Sequence, residues 1–397
     1  MKNLLSILFL LMSVFMYGQK VPVMKKFASG KEYKIDLYTA YQNRAPILQT
    51  GQFAEDIEFI PLETTDDCLL GDFLTNIVVT KENIIVFDYE GCYRFNRKGK
   101  FLNKIGKKGN GPGEYTNPMS IVVDTLNRWV YFSDDGFGRF VKYDYSGKYI
   151  ADLKVDGMGA TNTLYKPKEF ILEQNFYQFN KKGERYSLFY YSEDQKKILS
   201  KMRCDYDKDI PRLAMCDPIA YSHKGKMYMK DFWCDTIYQM IDPYRLQSYA
   251  IFDKGTFERR TRDDKTLTTG KEDATDKKVL DIIRISETDR YILICSNRVN
   301  VIYDKTTQKV YGGGDLEEYE KLGVQDDLYG CPGIRSDYFP KGVIGNTLCT
   351  FRHAYEFIEN GKGKHSITDS RYKAYREMVD NLAEDDNPVI MIVKVKK

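Results

Sequence analysis

Apolar and polar positions alternate along this chain in short runs, and the runs repeat. The first clear one is Asp56-Ile57-Glu58-Phe59-Ile60-Pro61-Leu62, patterned as a strand with one buried face. From there a unit recurs: an apolar strand, a turn, a second apolar strand ending in Asp, an aromatic strand, a Gly turn and a further strand. Its clearest copy reads Ile121-Val122-Val123-Asp124, a turn from Thr125 to Arg128, then Trp129-Val130-Tyr131-Phe132-Ser133-Asp134. Phe140 to Asp144, the turn Tyr145-Ser146-Gly147-Lys148 and Tyr149 to Leu153 complete it. The copy before it runs Ile77 to Thr80, Ile84 to Asp88, Tyr93 to Asn96, the turn Arg97-Lys98-Gly99-Lys100, and Phe101 to Ile105. The two Gly-Lys turns, at 99 and 147, stand 48 residues apart. Repeats of this length with about four short strands each are the signature of propeller blades.

Later copies are looser. One covers Phe170 to Leu172, Phe176 to Phe179 and Ser187 to Tyr191, and another Ile219 to Tyr221, Met227 to Lys230, Thr236 to Met240 and Ser248 to Phe252. A third has Ile282 to Ile285, Tyr291 to Cys295, Val299 to Tyr303 and Lys309 to Tyr311, and the last has Thr347 to Phe351 and Val389 to Val395. The pattern predicts an all-β chain, a six-bladed β-propeller over residues 56–397. Each blade buries its faces only against neighbours, so the ring has to close, and strand 56–62 is placed to complete the C-terminal blade. Two segments break the pattern. Residues 259–279 are charged and read as a solvated excursion. Residues 370–383 space Tyr372, Tyr375, Met378, Val379 and Leu382 at three and four, which predicts one short amphipathic helix packed on the propeller. Residues 19–55 are polar and read as irregular.

The start of the chain changes the expected compartment. Met1-Lys2-Asn3, an apolar run from Leu4 to Tyr17 and Gly18 read as a signal peptide over 1–18. The run is shorter than the ~20 residues a membrane span needs, and no other run approaches that length. Export is expected, to the periplasm or the cell exterior, with no transmembrane span after signal removal and no lipobox cysteine near the cut.

Composition adds exclusions. Aromatic residues make up 14% of the chain, with 31 Tyr against 2 Trp, a bias that suits pleated, half-buried surfaces. The 60 basic and 57 acidic residues are interspersed, without the basic stripe of a nucleic-acid binder, so nucleic acid is not an expected partner. The eight cysteines permit about 105 pairings, and their spacing selects none. There is no CxxC and no zinc spacing, and several of the cysteines are expected as free thiols buried in strands.

Several stretches together resemble a known family. Ile60-Pro61-Leu62-Glu63-Thr64-Thr65-Asp66-Asp67-Cys68-Leu69-Leu70-Gly71 is similar to the opening of a family of exported six-bladed β-propellers of Gram-negative bacteria, of NHL-like or TolB-like shape. Gly109-Asn110-Gly111-Pro112-Gly113-Glu114-Tyr115 resembles that family's GxGPGEY loop. Asp235 to Tyr238, Ile251 to Gly255 and Glu384 to Lys397 resemble its middle blade and closing strand. Many members look lipid-anchored; this chain lacks the anchoring cysteine. The resemblance implies a fold and no activity.

The candidate chemistry is sparse. Loop 109–115 lies between strands, is not GxxxxGK[ST], and loses a donor at Pro112, so it reads as a structural turn, as does Gly312-Gly313-Gly314. His223, His353 and His365 have no ligand spacing, and no GxSxG elbow is present. The doublets Asp66/Asp67, Asp134/Asp135, Asp326/Asp327 and Asp385/Asp386 each offer one acid per strand face, and Asp88 and Asp134 recur at equivalent blade ends, which indicates turn roles. The sequence therefore assigns no catalytic, cofactor-binding or metal residues. The expected function is a non-enzymatic binding or scaffold propeller of the cell envelope for a glycan, peptide or protein partner. The alternative is a carbohydrate-active hydrolase or lyase whose acids converge near the central channel.

Overall fold

The alternating runs become strands because successive side chains of an extended chain point to opposite faces, and in this molecule both faces are covered. The computed structural model describes residues 21–42, 45–71, 74–118, 120–134, 138–155, 161–173, 186–204, 218–258, 279–315, 323–334, 346–360, 368 and 370–397. The leader, Phe176–Phe179, residues 259–278, Asp135, Cys216 and His365 lie outside them. The chain first forms β1 (Lys25–Phe27), β2 (Tyr33–Asp36), the short helices α1 (Leu37–Tyr41) and α2 (Thr50–Phe53), and β3 (Ala54–Pro61).

Six blades follow. Blade 1 is β4 (Leu74–Val79), β5 (Asn83–Asp88), β6 (Cys92–Asn96) and β7 (Phe101–Lys104). Blade 2 is β8 (Ile121–Asp124), β9 (Trp129–Asp134), β10 (Arg139–Asp144) and β11 (Tyr149–Lys154). Blade 3 is β12 (Thr161–Lys166), β13 (Glu169–Glu173), β14 (Tyr186–Ser192) and β15 (Lys197–Arg203). Blade 4 is β16 (Ile219–His223), β17 (Lys226–Lys230), β18 (Thr236–Asp242) and β19 (Arg245–Asp253). Blade 5 is β20 (Ile282–Glu287), β21 (Tyr291–Ser296), β22 (Val299–Asp304) and β23 (Lys309–Asp315). Blade 6 is β24 (Thr347–Arg352) and β25 (Val389–Val395), completed by β3. The fold is a six-bladed β-propeller. The first strands of blades 2, 3, 4 and 5 touch in succession, as do those of blades 6 and 1, which places them around the axis.

The core is divided among six seams, one between each pair of neighbouring blades. Ile85, Phe87, Val130 and Phe132 fill the seam of blades 1 and 2, and Tyr131, Phe140, Phe170 and Leu172 the next. Methionines 202, 227, 229 and 240 crowd the seam of blades 3 and 4. The expected C-terminal helix is α4 (Ser370–Asp380), preceded by an unexpected α3 (Ala354–Asn360). Phe357, Tyr375 and Val379 bury themselves against blades 5 and 6, so α4 packs on the propeller as its stripe requires.

Ring closure joins the two ends of the propeller. β3 pairs antiparallel with β25, from Pro61 opposite Val389 to Asp56 opposite Lys394. The loop after β3 is then pinned by one buried side chain. Asn387 accepts from Leu70 N at 2.9 Å, and its Nδ2 donates to Glu63 O at 2.7 Å and Cys68 O at 2.8 Å. Its own N–H donates to Thr64 Oγ1 at 2.8 Å.

The two Gly-Lys turns explain their glycines. Gly99 and Gly147 have φ of 80° and 87°, the left-handed region. A Cβ on Gly99 would stand 1.9 Å from Pro61 O on β3, and one on Gly147 would stand 2.8 Å from Lys104 O on β7. Each turn therefore tucks under the outer strand of the preceding blade. Gly147→Ala should cost about 2 kcal/mol, adding left-handed strain to a displaced seam. Urea unfolding measures this, and an unchanged midpoint would refute the tight approach.

The segment before the ring, where the sequence pattern offers no strand, is a strap laid across outer edges. Met24 N donates to Lys201 O of β15, and β1 and β2 pair in parallel with β19. Gly312 N of β23 then donates to Pro46 O. These edges, not an internal hydrophobic period, impose its extended form, which is why composition alone reads it as irregular. Glu32 fastens the strap: it accepts from Ser29 N at 2.9 Å, from Gly30 N at 3.1 Å and from the Ser248 hydroxyl on β19. The Ser248 bond, with these amides, holds its carboxyl down at about 2, from an ordinary 4.5. A depressed carboxylate stabilises above its unfolded value and stops doing so as pH falls through the folded one. Hydrogen exchange over residues 25–36, corrected for intrinsic rates, should therefore lose protection between about pH 4.5 and 2 in the native protein. Glu32→Gln should lack that step; a step of equal size in both proteins would rule the carboxylate out.

Candidate functional site

The end of the ring where second strands finish and first strands begin gathers the recurring acids. Asp88 accepts from Glu90 N at 2.9 Å and Gly91 N at 2.7 Å with one oxygen, and from Gly71 N at 2.9 Å with the other. Asp134 accepts from the Thr116 hydroxyl at 2.6 Å and from Arg139 Nη2 at 2.9 Å, while Arg139 Nη1 reaches Asp152 at 2.5 Å. Both acids are buried and hold the loop entering their blade, the structural role that their recurrence suggests. Asp231 is a third copy, fully buried at the same place in blade 4. Turn roles also occupy Asp326, which accepts from the amides of Leu328 through Cys331, and Asp386, which accepts from Ala383 N. Asp327 accepts from Gly51 N at 2.7 Å and so ties the strap to the ring.

The Gly-rich loop is closed on itself. Glu114 accepts from Gly111 N at 2.8 Å and from Lys107 Nζ at 2.6 Å, filling the space a phosphate would need. Tyr115 stacks on Phe132 with centroids 4.4 Å apart, and Tyr143 donates its hydroxyl to Gly113 O at 2.5 Å. A Cβ on Gly109 would meet Glu114 Oε2 at 2.1 Å, so this glycine makes room for the carboxylate. Gly312, first of the other glycine run, instead meets the strap through its backbone, its N–H donating to Pro46 O at 3.1 Å.

At the opposite end, the seam of blades 4 and 5 holds a buried ionic cluster that no sequence pattern announces. Glu287 accepts from Tyr221 Oη at 2.9 Å, Tyr249 Oη at 2.5 Å and Lys305 Nζ at 2.5 Å. Burial, then the Glu287 charge, pushes both tyrosines far above their ordinary range, so they remain donors. His223 lies beside this cluster, with Nε2 3.6 Å from Asp289 and a buried Nδ1 that has no partner. Burial lowers its pKa, which favours the neutral ring. His353 stacks on Tyr355 at the start of α3. The three sequence histidines are not brought together: His223 and His353 lie in different blades, and His365 is outside the described residues.

Two other groups complete the inventory. Of the seven cysteines among the described residues six are buried, and burial pushes the Cys349 thiol up to about 12. Among the described residues no three His, Cys, Asp or Glu side chains gather as around a metal ion, and no helix is long and apolar enough to cross a membrane.

The profile of a family described as a domain of unknown function, DUF4934, matches residues 32–394, a span that takes in most of the strap and every blade. The chain belongs to the DUF4934 family. Among solved structures, this DUF4934 chain is similar to a putative exported protein from Bacteroides fragilis, at 17% identity and a TM-score of 0.66 over 92% of this chain and 100% of that one. It also matches a member of the DUF4221 family from Bacteroides vulgatus, at 9% identity and a TM-score of 0.49, covering 87% and 98%. A weaker match is the extracellular domain of a putative one-component system from B. thetaiotaomicron, at 11% identity and a TM-score of 0.36, covering 66% and 30%. The first of these likenesses carries the fold, and at such identity only the fold. No curated protein matches the sequence. For the DUF4934 chain the sequence resemblance and the structure agree on a six-bladed propeller.

Proposed function

We propose that this DUF4934 protein is a non-enzymatic binding or scaffold propeller of the cell envelope, working in the periplasm or at the cell surface through one face of the ring. Its partner is a glycan, a peptide or a protein. The observation that carries this reading is the engagement of the blade-end acids. Asp88, Asp134 and Glu287 are buried and hold loops and neighbouring blades, a structural duty that leaves the rim loops to present a surface. The exported description of the B. fragilis neighbour supports the compartment. The test is a thermal-stabilisation screen of the mature protein against metals, oligosaccharides and cell-wall fragments, with each stabilising compound analysed afterwards by mass spectrometry. A compound that stabilises and is recovered intact supports binding. Turnover of that compound, or stabilisation by a metal alone, would replace this reading with the hydrolase or lyase alternative.

A further inference from the structure

One stretch departs from the even mixing of charge. Between Glu90 and Glu114 the chain carries seven basic residues and no acid. Folding lays that stretch along the outer strand of blade 1 and brings the matching turn of blade 2 up to it. Asn103 Nδ2 donates to Tyr145 O at 3.2 Å, and a Cβ on Gly113 would stand 2.8 Å from the Tyr149 ring. Lys98, Lys100, Lys104, Lys108, Lys148 and Lys154 are exposed, and among the described residues none has a carboxylate within ion-pair distance. Glu114, Asp144 and Asp152, which lie among them, are engaged: Glu114 by Lys107 at 2.6 Å, Asp152 by Arg139 at 2.5 Å, and Asp144 by the amides of Ser146 and Lys148.

The same surface holds an open strand. Val155 N donates to Gly138 O at 2.9 Å, and Lys154 and Asp152 stand opposite Arg139 and Val141. Backbone groups alternate in direction along an antiparallel strand, so the N–H and C=O of Asp152 and Lys154 face away from β10. Among the described residues no strand pairs with that edge. The edge of β7 is less available, because that strand has four residues and Phe101 N already donates to Glu63 Oε2 at 2.8 Å. Tyr149 and Ile150, which open β11 directly after Lys148, are exposed. Lysines set this edge against a second copy of itself, and the same charge favours an acidic strand. Apolar side chains and unpaired backbone groups inside a basic field suit a peptide, whereas a bare polyanion would use the charge alone.

We propose that β11, the outer edge of blade 2, takes up an extended acidic segment of a partner protein as an added strand. The segment pairs with the backbone of Asp152 and Lys154, sets carboxylates against Lys148 and Lys154, and covers Tyr149 and Ile150 with apolar side chains. Lys104 and Lys108 extend the attraction beyond the strand. This rests on the binding reading above and names the partner as a protein segment.

Fluorescence anisotropy with the full mature chain uses a labelled decapeptide of alternating Glu and Val and its Lys–Val counterpart. A third peptide is the Glu–Val sequence N-methylated throughout, which keeps the charge and removes every backbone donor. Saturable binding of the Glu–Val peptide is expected, with none of the Lys–Val peptide and at least tenfold weaker binding of the methylated one. Lys148→Glu combined with Lys154→Glu should weaken binding at least tenfold and leave the melting temperature nearly unchanged, because both side chains are exposed. The proposal falls if the Glu–Val peptide does not bind or if the charge-reversed variant binds it unchanged. It falls equally if the methylated peptide binds as tightly, since the surface would then answer to charge alone. Failure here, with an oligosaccharide that stabilises the protein and is recovered intact, would remove this site and leave the binding reading standing. Cleavage of the peptide would remove the binding reading itself.

Discussion

Asn387→Ala should lower the free energy of unfolding by about 3–4 kcal/mol, because one truncation leaves several buried groups without partners. Leu70 N loses its acceptor, and Glu63 O and Cys68 O lose their donor, in a loop that water does not reach easily. The side chain is 2% exposed, so solvent cannot replace it cheaply. The damage falls on the closing seam, where β3 meets β25, and a ring held by pairing at one place depends on that place. Denaturant unfolding of Asn387→Ala measures the loss, and Asn387→Asp is the informative companion. It keeps the acceptor for Leu70 and sets a carboxylate against two carbonyls, so it should be at least as destabilised as the alanine variant. A loss below about 1 kcal/mol for both would show that other contacts close the ring.

Glu287→Ala should cost about 3–5 kcal/mol, the usual penalty for stranding one partner of a buried pair. Its loss leaves the Lys305 ammonium with Thr288 O at 2.7 Å, and strands two tyrosine hydroxyls in the seam of blades 4 and 5. The double variant Glu287→Leu with Lys305→Met removes both charges and should recover much of the difference, since a packed apolar pair often matches a buried ion pair. If the double variant were less stable than Glu287→Ala, the cluster would be contributing more than mutual neutralisation.

How much of this was legible beforehand depended on how far apart the partners lie. Strands such as Ile121–Asp124 and Trp129–Asp134 announce themselves by local alternation and by the turn between them, and the structure places them accordingly. The closing role of strand 56–62 followed from the need of every blade for two neighbours, and β3 fills it. The strap could not be read this way. Its strands pair in parallel with β19, more than 200 residues away, and they carry no alternation because only one edge of each is engaged. Asn387 and Glu287 were equally hidden: one polar residue acquires meaning only when folding brings distant backbone or side-chain groups around it. The recurrence of Asp88 and Asp134 was visible, and it indicated structure; the third copy, Asp231, escaped because the blade 4 repeat is looser there.

The strap also decides which rims of the propeller stay open to foreign strands. Blades 3, 4 and 5 have outer strands met by the strap, and in blade 6 β3 is itself the outer strand. In blades 1 and 2 the outer strands β7 and β11 pair with one strand each, and among the described residues no strand pairs with their other edge. A bare edge is a template for aggregation, and lysines are a common safeguard against it. Lys100 and Lys104 bracket β7, and Lys148 and Lys154 bracket β11. Protection of the circumference is thus divided, by coverage over four sectors and by charge repulsion over two. Added salt weakens only the second kind, so self-association of the folded protein at high ionic strength would begin on the side of blades 1 and 2.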